Sequence, residues 1–350
     1  MTYIELPEPE KERRLVFYLA MEEYVASNLD RLLTAGASRN AFFMWQVSPT
    51  VIFGRNQVME AEVNMEYCRR KGINLYRRKS GGGCVYSDWG NIMLSYITDS
   101  TDVAATFSAY LDELSSLLKK SGVNAEKSGR NDIMIDGRKV SGNAFFLKPK
   151  SSIVHGTMLF DSDFDELERA ITPSESKIKS KGVSSVRQHV TNIRPYYGEM
   201  GSPLADMSRF KEYLKGCFCG SDTGIDSVML TEAQVREIGE IEKTYLDPAF
   251  LEGRNHAYSV CHKGKIAGAG EIGVEFDIDM GVIERCRLSG DFFTLEDGLE
   301  ELLTSRLRGL PDEPGLFRKA LEGLDPGRYV AGLKFDGLLG IMGWQKDLPE

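Results

Sequence analysis

Apolar residues recur near helical spacing over 13–33, where Leu15, Val16, Leu19, Tyr24, Leu29, Leu32 and Leu33 predict a first amphipathic helix. Two short apolar runs follow, AFFMWQV (41–47) and TVIFG (50–54), split by Ser48-Pro49, and they read as a strand pair joined by a turn. Residues 62–71 read as a helix stopped by Gly72, and INLYRR (73–78) as a strand. A glycine cluster then leads to the strand runs CVY and NIMLSYI. The pattern over 102–121 predicts a helix ending at Gly122. DIMI-Asp136-Gly137-RKVSGNAFFL predicts a hairpin, because Asp-Gly supplies the positive φ angles of a tight turn. SSIVHGTMLF (151–160) reads as a further strand, and 163–171, 206–215 and 231–246 as helices, with a polar loop at 174–185.

The pattern changes near Asp247-Pro248. Beyond it, short strands over 256–290 precede two helices, about 295–307 and 314–324. With 350 residues, two domains are expected, 1–246 and 247–350. The mixture of strands and helices points to an α/β (α+β) chain with a mixed sheet and a smaller C-terminal α+β domain.

Hydrophobic residues make up 42% and charged residues 27%, an ordinary balance for a globular chain with a core. The formal net charge of -9 argues against a nucleic-acid partner, which calls for a basic face, yet leaves room for a local basic pocket. No apolar run reaches the ~18 residues of a membrane span, so no membrane is expected. The N-terminus is polar and acidic, without a secretory leader. The six cysteines are therefore expected to be reduced thiols in a cytoplasmic protein. With four histidines and a single close cysteine pair, Cys217 and Cys219, no structural zinc site is expected.

The sharpest chemical feature is Arg77-Arg78-Lys79-Ser80-Gly81-Gly82-Gly83-Cys84-Val85-Tyr86. Consecutive glycines let the backbone approach an anion and aim N–H groups at it, and the preceding basic residues add fixed charge. A tightly turned loop with solvated cations has the same signature. The second feature is Gly129-Arg130-Asn131-Asp132 leading into the hairpin with Lys139 and Ser141-Gly142. Lys139 there is a point charge for a phosphate, or an edge-strand lysine that discourages aggregation. The Ser-Gly pair would let a ligand lie against the strand. His155-Gly156-Thr157 and the polar stretch from Lys181-Gly182 to Asn192 complete the candidates.

Taken in order, these pieces resemble the lipoate–protein ligase family, relatives of biotin ligases and octanoyltransferases. The matching segments are Trp45 with Gly54-Arg55-Asn56-Gln57, RRKSGGGCVY, GRND, GRKVSGNA, HGTMLF and KGVSSVRQHVTNI, then GVEFDI and Gly290-Asp291-Phe292-Phe293. The resemblance implies a biotin/lipoate-ligase-like catalytic domain with an accessory C-terminal domain. It implies that lipoate is activated with ATP to lipoyl-AMP and transferred to a lysine of lipoyl-domain proteins, such as 2-oxoacid dehydrogenase subunits or the glycine-cleavage carrier. By the same analogy Arg78, Gly81, Gly82, Gly83, Cys84, Val85, Tyr86, Asn131 and Asp132 contact the nucleotide. Lys139 bridges the lipoate carboxylate and the α-phosphate, while Trp45, Arg78 and His155 belong to the lipoate site. Magnesium accompanies the ATP with no ligand set named by the sequence, though Asp132 is a candidate. The loop departs from the family at Ser87, where His is usual, and at Cys84, where Ala is usual.

An octanoyltransferase of the same fold needs a cysteine nucleophile. In one such class that cysteine lies in a turn whose counterpart here is Ser180-Lys181-Gly182, without a thiol. A non-catalytic lipoyl-binding relative is the third reading, and the presence of Arg78, Gly81 to Gly83 and Lys139 speaks against it.

Overall fold

The computed structural model describes residues 1–33, 39–129, 131–171, 189–221, 224–254 and 258–343. By internal contacts the chain divides into two units. One comprises Met1–Ile52, Val63–Arg78 and Val85–Leu251, the other Phe53–Glu62, Lys79–Cys84 and Glu252–Glu350.

In the first unit the strands are β1 (Thr2–Glu5), β2 (Asn40–Trp45), β3 (Thr50–Phe53, its last residue counted with the second unit), β4 (Asn74–Arg77), β5 (Val85–Ser87) and β6 (Asn91–Thr98). They are followed by β7 (Ala125–Ser128), β8 (Asp132–Ile135), β9 (Arg138–Lys148), β10 (Ser151–Leu159), the two-residue β11 (Gly220–Ser221) and β12 (Gly224–Ile225), and β13 (Ser227–Met229). The main sheet runs β13-β1-β2-β6-β10-β9-β8-β7. β1 lies parallel to both β13 and β2, while β2-β6-β10-β9-β8 alternate antiparallel, so the sheet is mixed as the sequence implied.

The two apolar runs at 41–47 and 50–54 do form strands, but they do not pair with each other. β2 joins the main sheet, and β3 is the centre of a second sheet, β4-β3-β5. β3 has a strand on each edge, β4 and β5, so neither edge is left for β2. Ser48-Pro49 is thus a crossover between sheets.

The first helix, α1 (Leu15–Ser27), also differs from expectation. Leu15 through Ala26 are buried without interruption, Glu22 and Glu23 included, so the helix has no solvent face. It packs on β6 and β10 on one side and on the helix Glu232–Tyr245 on the other. An apolar stripe is only part of such a surface. The remaining predicted helices appear as Met65–Lys71, Val103–Lys120, Phe164–Ile171, Met207–Cys219 and Glu232–Tyr245. Their ends follow local chemistry. Asp102 and Asp206 accept backbone N–H groups at N-caps, Thr231 and Gln234 form a capping box, and Gly72 closes its helix at φ 66°. The hairpin turn is as read: Asp136 and Gly137 both have positive φ, 50° and 73°. The polar loop read at 174–185 lies outside the described residues.

The second unit has an antiparallel meander of β14 (Val260–Ile266), β15 (Gly270–Asp279) and β16 (Val282–Gly290). One face of it, with Val274, Phe276, Cys286 and Leu288, packs on the helices Leu299–Leu307, Pro314–Ala320 and Phe335–Ile341 through Leu303, Phe317 and Leu338. The last of these helices was not read from the sequence.

Candidate functional site

Lys139 is held by its backbone before its side chain does anything. Its N–H donates to His189 O at 2.8 Å and its carbonyl accepts from Thr191 N at 2.9 Å. The side chain lies along β9 over Gly142. A Cβ built on Gly142 would stand 2.4 Å from Lys139 Cε and 2.5 Å from Nζ. The space that glycine leaves is therefore filled by the lysine itself, where the sequence suggested room for a ligand. Nζ pairs with Asp132 Oδ1 at 2.8 Å, and both side chains keep about a third of their surface in solvent. The result is a braced, partly exposed cation paired with a carboxylate.

The neighbouring residues hold this corner rigid. Asn131 and Asn143 clamp each other. Asn143 N and Nδ2 both donate to Asn131 O, and Asn131 Nδ2 donates to Asn143 O at 2.7 Å. Gly142 N donates to Thr157 Oγ1. Asn131 thus serves the backbone of β9, a role that its place in GRND did not signal.

Trp45 and His155 are brought together, through residues the sequence reading passed over. Trp45 Nε1 donates to Ser95 Oγ at 2.9 Å, Ser95 Oγ donates to Glu22 Oε1 at 2.5 Å, and His155 Nδ1 stands 2.7 Å from Glu22 Oε2. A carboxylate only accepts, so Nδ1 carries the proton in that contact. Trp45 stacks on Tyr18 with ring centroids 4.7 Å apart. All of these groups are buried, and Glu22 is 2% exposed. The available signal was the pair Glu22-Glu23 inside an otherwise apolar helix. Glu23 accepts from Tyr245 Oη at 2.7 Å and pairs with Lys148 at 2.9 Å.

Arg77 ends β4, Arg78 follows it, and both are buried. Arg77 Nε and Nη2 donate to Leu251 O, which gives Arg77 a structural job, and Arg78 Nη1 lies 3.4 Å from Ile52 O. Val85 and Tyr86 sit in β5 opposite Ile52 and Val51. Burial, reinforced by Asp88, pushes the Tyr86 phenol well above its ordinary pKa. Ser87, at the position of the family's usual histidine, is fully buried and accepts from Asn91 Nδ2. Asp88 accepts from Gly90 N and Asp163 N, tying two turns together, and burial raises its carboxyl pKa against those hydrogen bonds.

The glycine loop belongs by contacts to the second unit. Gly81 lies flush on the backbone of that unit: a Cβ there would be 2.1 Å from Phe292 O. Gly82, at φ 89°, donates its N–H to Phe292 O at 3.2 Å. Beside Gly83 a Cβ would meet nothing within 4 Å. Of the three glycines, then, two are explained by packing against Phe292 and one stands at open space. Cys84 is half-buried and is not part of a disulfide. Burial pushes the thiols of Cys68, Cys219 and Cys286 up, to about 11, 12 and 12, so none of these three is a thiolate nucleophile at neutral pH.

The chain thus combines a mixed-sheet α/β unit that carries a braced lysine on a hairpin with a small α+β unit. Comparison with known proteins gives the family. The lipoyl protein ligase A/B catalytic domain matches residues 15–219, and the bacterial lipoate protein ligase C-terminus matches residues 255–341. The chain belongs to the lipoate–protein ligase family. It is 33% identical to the lipoate-protein ligase LplJ of Bacillus subtilis over 332 residues, 93% of this chain and 95% of the relative. Among solved structures, it is similar in fold to LipL1 of P. falciparum in complex with lipoate, with TM-score 0.72, 17% identity and 97% of each chain covered. A lipoate-protein ligase A bound with ATP aligns with TM-score 0.59 and 21% identity, covering 72% of this chain and 99% of that one.

Proposed function

We infer that this enzyme is an ATP-dependent lipoate–protein ligase, with catalysis in 1–246 and an accessory role for 247–350. The lipoate carboxylate attacks the α-phosphorus of ATP, pyrophosphate leaves, and lipoyl-AMP forms. A lysine amine of an acceptor protein then attacks the acyl carbon and AMP leaves. Both steps concentrate negative charge on oxygens that a preorganised cation stabilises. The observation that carries the reading is Lys139, fixed by its backbone on both sides and presented over Gly142 with about a third of its side chain in solvent. In our reading it exchanges Asp132 for the carboxylate and α-phosphate oxygens of the reacting pair.

Arg78, Gly81 to Gly83, Cys84, Val85, Tyr86, Asn131 and Asp132 are proposed nucleotide contacts. Among the glycines Gly83 has the room for one. Trp45 and His155, joined through Glu22, are proposed to wall the lipoate site. The acceptors are proposed to be lipoyl domains of 2-oxoacid dehydrogenases or of the glycine-cleavage carrier. Among the described residues no group of three or more His, Cys, Asp or Glu side chains is placed to hold a metal ion. Magnesium is thus proposed to arrive with the nucleotide phosphates, which commonly supply much of its coordination, and no step is derived through it. A cytoplasmic location is proposed; no helix among the described residues is long and apolar enough to cross a membrane.

The test is ATP–pyrophosphate exchange with lipoate, octanoate and biotin in parallel, followed by transfer to an isolated lipoyl domain. Lipoate-dependent exchange is expected. Transfer from octanoyl-carrier protein without ATP, and no exchange with any acid, would sink the assignment.

A further inference from the structure

Segments far apart in sequence close a ring beside the glycine loop, and all of them belong to the second unit: 53–62, 79–84 and the stretch after β16. Arg55 N donates to Ser80 O at 2.9 Å, and Gly82 N donates to Phe292 O at 3.2 Å. Asn56 Nδ2 donates to Thr294 Oγ1 at 3.1 Å. The ring therefore runs from the glycine loop to Phe292, on to Thr294, across to Asn56, and back through Arg55 to the loop. Gly290 N also donates to Asn56 O at 3.0 Å. The turn that carries Asn56 is tied within itself: Gln57 N donates to Gly54 O at 3.1 Å, and Gly54 N donates to Gln57 Oε1 at 2.8 Å.

Asn56 closes this ring with its side chain. It is 4% exposed, and a polar group at that depth finds its partners inside the protein. Its amide meets Thr294, its carbonyl meets Gly290, and the residue before it holds Ser80. Arg55 adds an outer tie to Asp297 at 2.8 Å, but these side chains are 33% and 73% exposed, so the pair is screened and weak. The glycines have no side chains with which to hold themselves, and their freedom of φ has to be removed by whatever lies against their backbone. Tethers at Ser80 and Gly82 do this for the approach to Gly83, beside which a Cβ would meet nothing within 4 Å.

We propose that Asn56 is a positioning residue for the glycine loop: anchored on Thr294, it holds the turn whose Arg55 N–H fixes Ser80, so the backbone leading to Gly83 is ordered before an anion reaches it. The inference rests on the reading of Gly83 and its neighbours as nucleotide contacts. Asn56 itself touches no reacting atom. An ordered loop binds without surrendering chain freedom, whereas a loosened loop surrenders it on binding and loses affinity. The effect is confined to the nucleotide, because the groups proposed to wall the lipoate site, Trp45 and His155, are held by their own hydrogen bonds through Ser95 and Glu22.

The experiment is calorimetric titration of the full chain with ATP and magnesium, beside pyrophosphate exchange and a thermal melt. Thr294→Val keeps the shape of the residue and removes the oxygen that Asn56 meets, while Thr294→Ser keeps that oxygen. Thr294→Val and Asn56→Ala are each expected to weaken ATP binding about three- to tenfold, the scale of one hydrogen bond. The KM for ATP in exchange should rise by the same factor with the KM for lipoate unchanged, and Thr294→Ser should bind ATP as wild type does. The double variant should be no weaker than either single one. A merely structural bond would lower the melting temperature of Thr294→Val and leave ATP affinity and both KM values at wild type, and that result overturns the proposal. So does a Thr294→Ser variant as weak as Thr294→Val. If the variants lose ATP affinity as stated but wild type exchanges pyrophosphate with no acid, the ligase reading falls and the positioning role stands. Normal exchange by wild type with equal ATP affinity in every variant gives the reverse.

Discussion

Replacing Gly142 by alanine separates the presence of the Lys139 ammonium from its position. The new methyl would stand 2.4–2.5 Å from Lys139 Cε and Nζ, and its next contact is Asp132 Oδ1 at 3.8 Å. Only the far end of a flexible side chain is in the way, so the lysine swings out and the backbone stays. The loss in stability is bounded by the Lys139–Asp132 pair. At about one-third exposure that pair is worth ~0.2–1 kcal/mol. The loss in catalysis is set by a different scale. A misplaced charge-stabilising donor costs about 2.7–4 kcal/mol in the transition state, or roughly 10²–10³-fold in rate. Gly142→Ala is therefore expected to melt within about 1 kcal/mol of wild type and to lose lipoate-dependent pyrophosphate exchange about as severely as Lys139→Ala. The assay is exchange at saturating ATP and lipoate, with a urea melt of each variant. If Gly142→Ala exchanged pyrophosphate at the wild-type rate while Lys139→Ala did not, placement over the glycine would have no catalytic meaning. If both retained normal rates, the role of Lys139 itself would be refuted.

Other positions give sharper structural tests. A methyl on Gly90 would lie 2.1 Å from Asp161 O, a backbone atom that cannot swing aside, so Gly90→Ala should cost about 3 kcal/mol. A wild-type thermal midpoint for that variant would contradict the packing. Glu22→Leu removes the acceptor for both Ser95 Oγ and His155 Nδ1, at about 1–3 kcal/mol each. Its urea midpoint should fall accordingly, and an unchanged one would mean the hub is not formed. Burial raises the Asp88 pKa in the folded chain, so the fold binds its proton more readily than the unfolded chain does. Ionised Asp88 thus costs stability near neutrality, and the cost fades as pH falls through the raised value. Wild type should gain stability relative to Asp88→Asn as urea melts move from neutral to acidic pH. A constant difference would show the carboxyl to be unperturbed.

Local chemistry was the part of this fold most open to reading from residues. Asp136-Gly137 announced its turn because only particular residues accept those φ angles. The C-terminal meander showed as short strands because one of its faces is packed and the other patterned differently. What failed was partnership. The runs of β2 and β3 look like a hairpin in one dimension, and nothing within residues 41–54 reveals that each has other strands to join. α1 was misjudged for a related reason: an apolar stripe identifies one buried face, while acids at 22 and 23 look like a solvated one until tertiary partners appear. In the site, glycine was legible as closeness of approach, but not what approaches. Phe292 O meets Gly81, and Lys139 meets Gly142.

The helix that carries Glu22 and Glu23 has a dynamic consequence. Its amides have no face toward water, and its two acids are fastened to Ser95 and His155 on β6 and β10, and to Lys148 and Tyr245. Peeling it away exposes an apolar cylinder and strands several polar groups at once, so it has no inexpensive partial opening. Deuterium uptake along this segment should accordingly track the slowest class of amides in the molecule, exchanging when the whole unit comes apart. It acts as a keystone about which the first unit melts as one.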